Sequence, residues 1–141
     1  MDKPTHDAVM NSGAYQANIN SATMYLVAAC HGMSREAGWW HTIGGEPIDP
    51  HSPRVIPEKL MLCVTELSEA MEGHRKNLND DKLPHRKMFE VELADAVIRV
   101  LDLAGACGLD LGGAIVEKLQ FNAVREDHKP ENRAKEGGKA Y

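Results

Sequence analysis

The sequence predicts an all-α protein of four helices. Apolar residues recur at three- and four-residue spacing in four segments, and Gly/Pro-rich or polar stretches separate them. Strand signals are nearly absent: alternation is rare, β-branched residues are thinly spread, and the chain has only two Phe.

The first helix is expected from Asn18 to Ala37, where Ile19, Ala22, Leu26, Ala29, Cys30 and Met33 keep helical spacing and Gly38 provides a stop. The connection "GWWHTIGGEPIDPHSPRVIP" is long and irregular, and loops of that length in compact domains are commonly functional. Pro57 suits the first turn of a second helix, which runs to about Lys76. The polar break "NLNDDKLP" precedes a third helix from about Arg86 to Cys107, stopped by Gly108. Asp110 caps a fourth, expected to continue to about Asp127. Residues 1–17 form an N-terminal segment, 18–128 the domain, and 129–141 a basic tail without apolar period, expected to be extended or mobile.

Composition narrows the function classes. The 141 residues fit one domain with a real core, and 43% hydrophobic with 26% charged residues is ordinary for a globular protein. Sixteen Lys and Arg against 21 Asp and Glu leave a net charge of -5, which argues against a nucleic-acid polymer as partner. Cys30, Cys63 and Cys107 are scattered and odd in number, as expected for reduced thiols in a cytoplasmic protein. No apolar run suits a membrane span, and "MDKPTHDAVMNSG" lacks the apolar core of a signal peptide.

Two acidic pairs stand out. Glu66 and Glu69 in "TELSEAMEG" are three residues apart, so both carboxylates lie on one helix face. Glu92 and Asp95 in "ELADAVIRV" repeat the spacing on the next helix. Leu60, Val64, Leu67 and Met71 make an apolar stripe on the second helix, and Leu93, Val97, Val100, Leu101 and Ala104 one on the third. Both stripes are expected to face the core. The acids sit opposite, among Leu62, Cys63, Ala70 and Gly73 and among Met88, Ala96, Leu103 and Ala106, which is not the composition of a solvated face. Four carboxylates converging between two helices need positive compensation, and Arg99 is the one obvious cation nearby. Hard divalent cations fill that need. An all-oxygen donor set favours Mg²⁺, with Mn²⁺ as a substitute, over zinc or iron. A di-iron bundle would want a Glu-x-x-His pair on each of two helices, and neither His74 nor His85 sits at that offset.

The order Glu66-x-x-Glu69, then Glu92-x-x-Asp95, resembles the all-α nucleoside triphosphate pyrophosphohydrolase superfamily. Within it, the chain is most similar to the short, single-domain MazG-like proteins of bacteria and phages. The similarity runs from about Gly38 onward through Trp39-Trp40, "EKLMLCVTELSEAMEGHRK", "ELADAVIRVLDLAGACGLDL" and "EKLQFN", to a Gly-Gly-Lys tail. It implies a four-helix MazG-like bundle completed by dimerisation, a homodimer at minimum and a homotetramer as the fuller assembly. It also implies hydrolysis of the α–β phosphoanhydride of a (deoxy)nucleoside triphosphate to monophosphate and pyrophosphate. Carried over, Glu66, Glu69, Glu92 and Asp95 hold Mg²⁺. Glu69 orients or deprotonates the attacking water, a role for which Glu66 is the other candidate.

The fourth helix places Lys118, Asn122 and Arg125 on one face, where Lys and Arg suit phosphate and Asn a sugar hydroxyl or phosphate. The resemblance supports Lys118 and Asn122 most directly. Trp39 and Trp40 offer aromatic surface to a nucleobase, or else close the core over the loop. The tail carries Lys129, Arg133, Lys135 and Lys139, but "KPENRAKEGGKAY" lacks the aromatic that the family pattern sets beside the Arg. His128 is a weaker candidate for phosphate contact. Phosphoribosyl-ATP pyrophosphohydrolase, a non-catalytic metal and nucleotide-binding module, and a purely structural helical dimer are the competing expectations.

Overall fold

The computed structural model describes residues 11–125 and 130–137, so His128, Lys129 and Lys139 lie outside the described residues. The described chain is all-helical: α1 spans Gly13–Glu36, α2 Val55–Lys76, α3 Met88–Ala106, α4 Leu111–Val124, and a single turn, α5, Pro130–Arg133. Two isolated bridges, His41 with Pro47 and Asn79 with Lys87, are the only extended pairing among the described residues. No helix of the described residues is long and apolar enough to cross a membrane.

Local chemistry explains the helix ends. Gly38 (φ 84°) and Gly108 (φ 64°) take the left-handed conformation that stops α1 and α3. Asn77 does the same for α2 at φ 53°, and its N–H returns to the carbonyls of Gly73 and His74. Asp110 caps α4 by accepting a hydrogen bond from the Gly113 N–H at 3.0 Å. Two limits differ from the sequence expectation. α1 begins at Gly13, five residues earlier than Asn18, because Ala14, Tyr15, Gln16 and Ala17 continue its turns with no breaker among them. α4 ends at Val124, since Arg125 is already extended at ψ 124°. The tail, expected to be extended, holds the turn Pro130–Arg133, with proline in the first-turn position it favours.

The chain divides into two compact units, residues 1–25 with 110–141, and residues 26–109. In the first, a Cβ added at Gly112 would lie 2.8 Å from the Asn20 carbonyl oxygen, so the start of α4 needs glycine to approach α1. In the second, α2 and α3 pack against each other. Their contacts run in opposite directions along the two helices: Gly73 touches Met88, while Glu66 reaches Arg99. The pair is therefore antiparallel.

The inward face is not the apolar one. Leu60, Val64, Leu67 and Met71 on α2, and Leu93, Val97 and Val100 on α3, are all exposed, with Leu67 at 51% and Val97 at 54%. Leu101 and Ala104 alone of the expected stripes are buried. Cys63, Glu66, Ala70 and Gly73 face inward on α2, with Glu92, Ala96, Asp102 and Leu103 on α3. Small residues in this seam let the helix backbones approach closely, and the branched side chains of the stripes are too bulky for the same place. All three cysteines are unpaired, and burial raises the thiol pKa of Cys30 and Cys63, so neither is an activated thiolate.

α1 and α3 meet at Gly105, where an added Cβ would stand 2.5 Å from His31 Cβ and 3.3 Å from Val27 Cγ1. Gly105→Ala is expected to destabilise the protein by about 1–3 kcal/mol through overpacking, despite alanine's better helix propensity. Gly32→Ala, with no atom within 4 Å of its added Cβ, should be neutral or stabilising by up to about 1 kcal/mol. Urea denaturation of the two variants checks the contrast, and equal effects would place the tight contact elsewhere.

Candidate functional site

The α2–α3 seam brings the sequence-predicted acids together. One carboxylate oxygen from each of Glu66, Glu69 and Glu92 lies within 4.8 Å of the others. Glu66 and Glu92 are buried, at 6% and 7% exposure, whereas Glu69 is open to solvent. Asp95, half-buried, is outside this triad but lines the same cleft of about 410 Å³, together with Asp80, Lys82 and Arg99. The triad follows from helix geometry. Glu66 and Glu69 are one turn apart on α2, Glu92 opens α3, and the antiparallel crossing sets the first turns of α3 against the middle of α2.

Charge dominates this cleft. Glu66 accepts a 2.6 Å hydrogen bond from Arg99 Nε, an ion pair in which Glu66 is nearly solvent-free and Arg99 is 42% exposed. Burial first, then a hydrogen bond shared with Glu66 and the charges of Glu69, Glu66 and Asp95, raises the Glu92 pKa to about 7. Asp95 is raised too, by burial and then by the Glu66 charge, with Arg99 opposing. Arg99, and Lys82 already paired with Asp81, do not balance this concentration of carboxylates.

The donor set fits a hard divalent cation. It is all oxygen, three donors already converge, and ligation would relieve the repulsion that lifts Glu92. Magnesium or manganese suits such ligands better than zinc or iron.

Two elements beside the acids were not singled out by spacing. Asp80, 6% exposed, accepts the backbone N–H groups of Lys82 and Leu83 and so folds the α2–α3 connection over the cleft. An Asx turn in "NDDKLP" is the sequence signal for it. Asp102, also buried, accepts hydrogen bonds from Trp40 Nε1 at 2.8 Å and from His31 Nδ1 and Ser34 Oγ, both at 2.9 Å. No sequence spacing relates Asp102 to the other three residues.

The tryptophans part company. Trp39 is 70% exposed and keeps an aromatic face for a ligand. Trp40 is 5% exposed, with its indole N–H on Asp102 and Lys59 Nζ 4.4 Å from its ring centre, so it closes the core beneath the loop. Lys118 and Arg125 belong to the unit that contains α4, where Lys118 Nζ and Arg125 Cζ stand 4.7 and 5.7 Å from the Phe121 ring centre. Asn122 Oδ1 is buried there without a hydrogen-bond partner among the described residues. Comparison with family models, curated proteins and solved structures finds no match for the chain.

The raised carboxylates make stability depend on pH with a definite sign. Folded Glu92 binds its proton more tightly than the unfolded chain does, so stability falls as pH rises from the ordinary value of 4.5 to about 7, then levels off. Asp95 contributes in the same direction. The melting temperature of the metal-free protein should therefore decline between about pH 5 and pH 8, and Glu92→Gln should flatten the decline. A profile that rises over this interval in the metal-free protein would contradict the burial assigned to Glu92.

Proposed function

We propose that the protein is a Mg²⁺-dependent nucleoside triphosphate pyrophosphohydrolase of MazG-like type, releasing a nucleoside monophosphate and pyrophosphate. The convergence of Glu66, Glu69 and Glu92 carries this reading. The resemblance of the paired motifs in order supplies the substrate class.

Glu66, Glu69 and Glu92 would hold the metal, with Asp95 on the cleft wall completing the donor set. A divalent ion there neutralises triphosphate oxygens and stabilises charge on the leaving pyrophosphate. Burial and environment separate the roles of the acids. Glu66 is committed to Arg99 and to Glu92, whereas Glu69 is exposed to the cleft and free to orient the attacking water and accept its proton. Water adds at the α-phosphorus as the bond to the bridging oxygen breaks. By the resemblance alone, Lys118, Asn122 and Arg125 are candidates for phosphate and sugar contacts, and Trp39 offers its exposed ring to the base.

The exposed stripes on α2 and α3 support the expected association. Seven large apolar side chains on one helix pair are left exposed, an amount of apolar surface that calls for a cover. A second copy with the same stripes is the self-complementary cover, giving a homodimer, and pairing of dimers gives the tetramer.

Incubation with a panel of canonical NTPs and dNTPs and Mg²⁺ should yield monophosphate and pyrophosphate in equal amounts. Chelation should abolish the reaction, and Glu69→Ala should reduce it by about 100-fold or more. Absence of turnover across the panel, with metal binding intact, would replace this reading with a phosphoribosyl substrate or a sensor. The double variant Leu67→Glu, Val97→Glu should convert the assembly to monomer in light scattering; an unchanged mass would place the interface elsewhere.

A further inference from the structure

A second pocket lies within the unit formed by residues 26–109, on other walls than the acidic cleft. It holds about 190 Å³, below the usual range for a drug-sized ligand, and its walls include His31, Arg35, Trp40, His41, Pro47 and Ile48. No carboxylate lines it, so every ionisable wall group is basic. The cleft around Glu92, by contrast, is lined by six carboxylates with Lys82 and Arg99.

Asp102 stands behind this wall and governs how His31 takes part in it. A carboxylate only accepts hydrogen bonds, so the 2.9 Å contact requires His31 to carry its proton on Nδ1. Nε2 is then the remaining polar atom of the ring. The Trp40 ring meets the imidazole edge-on at 5.6 Å between centres, fixing the ring from a second direction. Trp40 also donates to Oδ1 and Ser34 donates to Oδ2, so both oxygens of that carboxylate have partners. Arg35 follows His31 by one helical turn and lies on the same face of α1.

We propose that Asp102 is a positioning residue for a second binding pocket, which takes a small oxyanion such as phosphate on His31 Nε2, Arg35 and His41. Arg35 supplies a permanent charge and a planar fork of donors suited to oxyanions. With its proton held on Nδ1 by Asp102, His31 presents Nε2 as an acceptor for the P–OH of hydrogen phosphate. Trp40, Pro47 and Ile48 form the apolar part of the wall beside these groups. The anion is either free in solution or the phosphate end of a larger molecule, and the pocket recognises the same group in both.

Inorganic phosphate is titrated into the full chain, without divalent metal, while the histidine side-chain ¹⁵N resonances are followed by NMR. Before ligand, His31 should show the signature of a protonated Nδ1. Phosphate should then shift the His31 and His41 resonances saturably, and Arg35→Met should weaken binding about tenfold or more. Glu92→Gln, in the acidic cleft, should leave phosphate affinity unchanged, which separates this site from the proposed hydrolase centre. Asp102→Asn should lose the fixed tautomer and weaken phosphate, an effect on the ring that a merely structural role would not produce. Should that variant not fold, Ser34→Ala, which removes one donor to Asp102, should leave the tautomer and the affinity close to wild type. Titration with phenyl phosphate distinguishes a carried phosphate from the free ion, and either one binding supports the pocket. No saturable shift, affinity indifferent to Arg35→Met, or binding of uridine in place of phosphate would overturn it.

Discussion

The carboxylates of Glu66 and Glu92 meet in the seam between α2 and α3, nearly without solvent and within 4.8 Å of each other, and Arg99 is the cation that reaches Glu66. Much of the described helix pair is arranged around that contact. Ala70, Gly73 and Ala96 are small, which lets the backbones approach and brings acids on opposite helices within a few ångströms. Asp80 folds the connecting loop onto the same cleft. Placing carboxylates in the seam displaces the branched apolar side chains to the outside. The hydrophobic term that normally joins two amphipathic helices is thus largely unrealised between α2 and α3. It remains available on the outer face, so the geometry that gathers the acids also leaves the apolar surface that the proposed association would cover.

Sequence periodicity reached some of this and not the rest, for a physical reason. Glycine stops at Gly38 and Gly108, the Asp110 cap and the shared face of each acidic pair are local properties, and they were legible. Which face of α2 turned inward was not. The stripe through Leu60, Val64, Leu67 and Met71 shows where the apolar side lies, but not what it packs against, and its burial was wrongly expected within a single chain. The neighbours of the acids held the better clue: Cys63, Ala70 and Gly73 beside Glu66 describe a close helix contact. The Asp102 group was invisible because its partners are 62 to 71 residues away in sequence, and contacts at that range have no period. Trp39 and Trp40 are adjacent, yet one is exposed and the other buried, because the irregular loop turns at that point.

α3 carries two buried carboxylates with opposite surroundings, and the comparison bears on function. Asp102 accepts from a histidine, a serine and a tryptophan, so its acceptor capacity is met by neighbouring side chains. Glu92, ten residues earlier on the same helix, meets Glu66, Glu69 and Asp95, and its pKa rises to about 7. A buried acid retained only to specify helix packing would be expected to resemble Asp102, because an unmatched buried charge lowers stability without adding a contact. The fold evidently can satisfy a buried carboxylate on α3. That it does so at Asp102, while the six carboxylates of the acidic cleft have only Arg99 and Lys82 among them, supports the proposed cation site. The same reasoning weakens the purely structural account of the helix pair, since alanine or leucine at these positions would serve packing better. The proposed substrate class rests on a different footing, the family resemblance carried by the two acidic motifs, and that support is independent of the electrostatic one.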